Sequence, residues 1–194
     1  MPKKSTSARI IMIAHELLSS GGLGAVSFDA IARRLGASKQ AVLYWFPTKS
    51  DLLAAMFVPW LEAEAEGAVR AVADARDRTE AIECFVRAIA QFHFDDLNRF
   101  RMMYLVPQTT RRRSNDRASD AAVKKIHPVT SRLYNALADR LEGNNDAARA
   151  EAFAIHSAVL GIVLMVGLAD AVHDPLKHRE EDLIDTLIRS LTAI

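Results

Sequence analysis

The chain has 194 residues, half of them apolar, which is enough to bury a full core as one large domain or two small ones. A single cysteine, Cys84, excludes an internal disulfide and fits a reducing cytoplasm. The net charge of +1 hides an asymmetry: residues 1–50 carry seven Lys or Arg against Glu16 and Asp29, a net of +5, while the remainder carries 18 against 22, a net of −4, so a polyanion contact is expected in the N-terminal quarter.

Residues 1–7 are polar and lysine-bearing and read as an arm. No secretory signal is expected, because His15 and Glu16 would fall inside its apolar region. From Ala8 to Ser20, the residues Ile10, Ile13, Ala14, Leu17 and Leu18 recur at helical spacing, and Gly21-Gly22 should stop this first helix. Residues 28–46 then read as two short helices joined at Gly36, with Ile31, Ala32, Leu35, Ala37 and Val42 facing inward. That is a helix-turn-helix, and Gly36 occupies the turn because glycine enters the left-handed region without steric cost. Phe28 is placed to enter the small core between helices one and three. Ser27 caps helix two and Ser38 caps helix three, whose first exposed residues are Lys39 and Gln40. By donor and acceptor geometry the lysine suits a phosphate or guanine and the glutamine an adenine.

Thr48 and Asp51 form a capping-box pattern that opens helix four, which should run to about Ala75 with a kink or break near Val58 because Pro59 falls inside it. Lys49 in that first turn opposes the helix dipole by about 0.3–1 kcal/mol, a sign that a bound phosphate would reverse. It is therefore a candidate phosphate ligand. Thr79 is expected to cap helix five, which carries Ile82, Phe85, Val86, Ile89, Ala90 and Phe92. A short sixth helix holds Phe100, Met103, Tyr104 and Leu105 and ends at Pro107. Residues 108–120 read as an exposed loop whose Arg111-Arg112-Arg113 run is solvated. Helix seven covers about 121–142, with a break at Pro128 left open.

Helix eight runs from about Asp146 to Val172, and its centre, Ala158 to Ala169, is apolar on every side. Twelve such residues span only about 18 Å, short of a bilayer core, so no membrane span is expected. A helix apolar all round must be covered all round, and a second copy of the chain is the economical cover. Small residues at Ala150, Ala154, Ala158 and Gly161 permit close approach, and helix nine adds Leu183, Ile184, Leu187, Ile188 and Leu191. A homodimer through helices eight and nine follows, which doubles the reading helix about a two-fold axis.

Across residues 9–56, Ile13-Ala14, Gly21-Gly22, Ser27, Ile31-Ala32, Leu35-Gly36, Ser38, Phe46, Lys49 and Leu52-Leu53 give the chain its family likeness: it resembles the tetracycline-repressor (TetR) family of bacterial transcriptional regulators. The resemblance implies an all-α fold of about nine helices, with a helix-turn-helix DNA-binding domain at 1–47 and a helical ligand-binding and dimerisation domain at 48–194. It also implies a cytoplasmic dimeric regulator, usually a repressor, that leaves a near-palindromic double-stranded operator when a small-molecule inducer binds. Carried onto this sequence, Ser38, Lys39, Gln40 and Tyr44 would face bases or the adjacent backbone, Ser27 and Lys49 would hold phosphates, and Arg34 would be a further contact. One departure is Leu43, which stands where the family usually has a tyrosine; Tyr44 is assigned that contact, and Trp45 is expected to pack on helix four. The inducer would lie among Phe57, Trp60, Phe85, Ile89, Phe92, Met102, Met103, Tyr104 and Tyr134, and these side chains suit an apolar, aromatic or acyl ligand.

Other chemistries find less support. His93, His127 and His156 lie on three predicted helices without H-x-x-x-H or Cys-His spacing and read as ordinary core or surface residues, so no metal or cofactor is expected. Cys84 sits in an apolar stripe, where an inert thiol is expected. The chain lacks a glycine-rich phosphate loop, a nucleophile elbow and a carboxylate pair, which argues against an enzyme. The alternative from another class is a helical interaction module that has lost sequence-specific DNA binding, and Leu43 keeps it open.

Overall fold

The computed structural model describes residues 5–105, 118–175 and 178–193; the arginine run at 111–113 and most of the expected 108–120 loop lie outside them. Among the described residues the chain is all-helical, with nine α-helices and one π-helical turn. They form two compact units, one from the described parts of 1–60 and 105–127, the other from 61–104 and 128–194.

The first unit starts with α1 (Thr6–Ala25), capped by Ser5 and buried through Ile10, Ile13, Ala14, Leu17 and Leu18. Its regular path is interrupted at Gly22, whose φ of 66° and ψ of −170° are non-helical, and a last short turn continues to Ala25. The glycine pair therefore ends the regular helix as expected, and a separate short turn follows it. Next come α2 (Phe28–Leu35) and α3 (Lys39–Trp45), which pack on each other while α2 also packs on α1. Then α4 (Lys49–Val72) begins with the predicted capping box: Asp51 N donates to Thr48 Oγ1 (3.1 Å) and Thr48 N donates to Asp51 Oδ2 (3.2 Å). The helix is not broken at Pro59, which lies on its exposed side, where water can serve the carbonyl that loses its partner. Trp60 closes this unit, its ring 4.7 Å from that of His15 on α1.

The second unit comprises the rest of α4, then α5 (Arg78–Phe94), α6 (Leu97–Phe100), the π-helical turn Arg101–Leu105, the 128–138 portion of α7 (Ala118–Ala138), α8 (Asn145–Val172) and α9 (Glu180–Thr192). Asp77, and not Thr79, caps α5, its carboxylate accepting from Glu80 N at 2.8 Å. Aspartate is the better N-cap of the two and stands where the chain is still extended, at φ −145° and ψ 175°. Pro128 leaves α7 unbroken, and the helix stops at Ala138 ahead of the expected Glu142. Helices α5, α8 and α9 pack mutually around Ile82, Phe85, Val86, Ile89, Ala152, Ile155, Val159, Val163, Ile184 and Ile188. Arg78 joins them at one end, donating to Glu151 of α8 and to the Leu191 carbonyl of α9, and Arg87 reaches Asp185 at 2.8 Å.

α8 has two faces. Val159, Val163 and Val166 are buried, whereas Phe153, Leu164, Met165, Leu168 and Val172 are between 41% and 64% exposed, at helical spacing along one side. At 28 residues with a mean hydropathy of 2.2 over its most apolar 18, the helix meets the length and composition of a membrane span. Its inner side, however, is core of a folded unit and carries the hydrogen-bonded His156.

Candidate functional site

In the first unit, the geometry of α2, α3 and their turn follows from three local choices. Gly36 adopts φ 70° and ψ 35°, the left-handed C-cap of α2, with its N–H returned to Ala32 and Arg33. A Cβ added there would meet nothing within 4 Å, so Gly36→Ala should cost the backbone strain alone, about 1–2 kcal/mol by urea denaturation. Ser27 Oγ accepts from Ala30 N and Ser38 Oγ from Ala41 N, both at 3.2 Å, so each serine is spent locally as a cap while remaining exposed.

α3 turns Val42 inward, fully buried, and Phe46 follows it. Its open surface presents Lys39, Gln40 and Tyr44, and Tyr44 is 80% exposed. Leu43 is half-buried between those faces. Trp45 does not bury against α4 as expected: it is 44% exposed and meets Tyr44 edge-on, centroids 5.6 Å apart, because Val42 and Phe46 already fill the inward positions of so short a helix. Lys39 Nζ lies 2.9 Å from Asp29 Oδ2, an exposed pair worth about 0–1 kcal/mol and readily exchanged for a phosphate. Arg34 faces Glu16 at 3.5 Å on equally open surface. Lys49 Nζ donates to the Leu23 carbonyl at 3.3 Å, which also accepts from Val26 N at 3.2 Å, so this lysine also braces the end of α1.

Residues 10–56 match the family model of the bacterial regulatory proteins of the tetR family. The helix-turn-helix head is of the TetR-family type. A comparison with curated protein sequences finds no match. Among solved structures, the chain is similar to the regulatory protein SCO4313 at a TM-score of 0.74 and 18% identity, over 97% of this chain and 95% of that one. It is similar to the transcriptional regulator FadR from Bacillus subtilis, solved in complex with stearoyl-CoA, at 0.67 and 18% identity, over 96% and 98%. It is also similar to the fatty acid degradation regulator FadR from Bacillus halodurans at 0.66 and 17%, over 98% and 96%. At these identities the likeness establishes the fold, that of TetR-family transcriptional regulators.

The nine candidates for a ligand site divide between the two units. Phe57 and Trp60 belong to the first, with ring centroids 6.0 Å apart. In the second, Phe85 and Ile89 are core, Met103 is buried and Met102 half-exposed, and Phe92 lies under the Arg99 guanidinium at 4.0 Å. A groove of about 670 Å³ in that unit runs between Val69 and Val72 of α4 and Ser131, Arg132 and Asn135 of α7; none of the nine lines it.

Tyr104 and Tyr134 converge on a group that sequence reasoning missed. Glu64 of α4, 1% exposed, accepts from His93 Nε2 (2.8 Å) and His156 Nε2 (3.0 Å) on one oxygen and from the Tyr104 hydroxyl (2.7 Å) on the other. Tyr134 Oη lies 3.3 Å from His156 Nδ1. Burial would push the Glu64 carboxyl up, but the hydrogen bonds and charge of His156 and His93 outweigh it and hold the group down at about 2. Burial, then the carboxylate, pushes the Tyr104 phenol well above its ordinary value and that of Tyr134 to about 12. His127, the third histidine weighed from sequence, is exposed and not part of the cluster. Cys84 on α5 is half-buried, and burial, then Glu80 and Glu83, pushes its thiol up, away from the reactive thiolate.

Proposed function

We propose that this chain is a ligand-responsive, dimeric transcriptional regulator of the cytoplasm, a repressor that leaves a near-palindromic operator when a small apolar or aromatic ligand binds. The observation that carries the reading is the exposed side of α3, where Gln40 and Tyr44 stand free above a buried Val42 in a head of net charge +5. Ser38, Lys39, Gln40 and Tyr44 are assigned to bases and adjacent backbone; Ser27, Arg34 and Lys49 to phosphates. The second copy is assigned to the exposed apolar side of α8, with α9 alongside, in place of lipid. The ligand is assigned to the second unit near Phe85, Phe92, Tyr104 and Tyr134, and the stearoyl-CoA complex of the Bacillus subtilis FadR supports an acyl ligand. It acts only through its differential affinity for the two states, transmitted by α4, one uninterrupted helix from Lys49 to Val72.

A salt-titrated binding assay on the chain's own upstream promoter fragment tests this reading. Lys49→Ala should weaken all sites alike and reduce the salt slope by about one. Gln40→Ala should relax preference at one base pair, by about 1–3 kcal/mol. Equal loss at every operator variant would remove the base-reading role of Gln40. A wild-type chain with neither sequence preference nor steep salt dependence would favour the interaction module.

A further inference from the structure

We propose that Glu64, His93 and His156 form a binding site for one divalent transition-metal ion inside the second unit. One donor atom from each of the three residues lies within 4.8 Å of the others, and the residues are at most 2% exposed. Bonds from such a cation to imidazole nitrogen and carboxylate oxygen are about 2.0–2.2 Å, so two donors stand about 3 Å apart at a right angle around it and about 3.4 Å apart at a tetrahedral one. The two nitrogen-to-oxygen separations, 2.8 and 3.0 Å, are those of neighbouring ligands on one ion. Two imidazoles and a carboxylate suit zinc, iron(II), cobalt or nickel better than magnesium or calcium, which favour oxygen donors.

The surroundings are those of a supported ligand set. Tyr104 fixes the second carboxylate oxygen and Tyr134 holds His156 Nδ1, the outer contacts that orient metal ligands. When the ion binds, each histidine ligates through the Nε2 lone pair and carries its proton on Nδ1; for His156 that proton is donated to the Tyr134 oxygen. His93 Nδ1 is buried without a hydrogen-bond partner among the described residues, so the outer contacts support His156 and Glu64 more fully than His93. Packing does not account for the cluster. The three residues take one core position on each of α4, α5 and α8, in a core otherwise built from Ala, Val, Ile, Leu and Phe, and apolar replacements for a buried ionic group are often neutral or stabilising. A cation gives the buried carboxylate a reason to be there.

The test is metal binding by the full chain, stripped with chelator and titrated with Zn²⁺ and Co²⁺, and it does not depend on DNA binding. One ion per chain is expected, with visible Co²⁺ absorption typical of nitrogen ligation. Glu64→Gln preserves shape and an acceptor oxygen but removes the charge, and His156→Gln removes one nitrogen. Each should weaken binding at least about 100-fold, while His127→Ala should leave it unchanged. If either variant fails to fold by circular dichroism, the other decides together with the wild-type Co²⁺ spectrum. Absence of one-to-one binding in the wild type, a Co²⁺ spectrum without nitrogen ligation, or wild-type affinity in a folded variant would overturn the site.

Discussion

Met165→Arg should turn the proposed dimer into a folded monomer. Met165 is 60% exposed within a line of exposed apolar residues that runs from Phe153 to Val172 on α8, so a charge there costs the isolated fold almost nothing. In an isologous interface the same residue is buried from both copies, and the substitution counts twice. Losing one buried methionine costs about 1.5–3 kcal/mol, and an arginine seated without a partner adds desolvation. A rise of at least about 100-fold in the dimer dissociation constant is expected by sedimentation equilibrium, with unchanged helicity. Operator affinity should fall with it, because two half-sites are no longer held together. A variant that stays dimeric, or a wild type that is already monomeric, would remove α8 as the interface.

Glu64→Ala, measured in chelator-treated protein, should be among the most destabilising single changes in the chain. The carboxylate accepts from two imidazoles and a phenol. Deleting it takes this acceptor from two buried imidazoles and from the Tyr104 hydroxyl, and leaves a cavity where the side chain was. Breaking a buried ionic cluster from one side costs about 3–5 kcal/mol, which for a domain of this size lowers Tm by about 6–20 °C. Glu64→Gln should cost far less, because its amide oxygen still accepts from the histidines and its amide nitrogen can donate to Tyr104. Equal Tm values for Glu64→Ala and wild type would mean that the cluster is not held together in solution. The contrast between the two variants separates loss of hydrogen bonding from loss of charge, and loss of charge alone bears on the metal site.

Local devices were legible in residue order. The caps at Ser27 and Ser38, the left-handed Gly36 and the reciprocal Thr48–Asp51 box each involve residues three or four apart, where the backbone itself brings donor and acceptor together. The two faces of α8 were half legible. Composition showed a helix apolar on every side, but only the packing of α5 and α9 settled that Val159 faces in and Met165 out. The helices run on through both prolines for a related reason. Whether a helix survives Pro59 or Pro128 depends on which side the missing hydrogen bond faces, and both prolines face outward.

Glu64 shows where local reading stops. In Glu62-Ala-Glu64-Ala-Glu66 the three acids look alike as a solvated run, although Leu61, Ala65, Ala68 and Val72 at helical spacing mark Glu64 as the one on the inward face. Its partners stand 29 and 92 residues away, on helices with no ligand spacing of their own. The sequence by itself determined what acts over one or two turns: helices, caps, the reading turn and the charge asymmetry that puts +5 on the head. Only the tertiary structure decided which carboxylate meets which imidazoles, because that depends on three helices arriving side by side, and residue order does not state their rotation about their own axes.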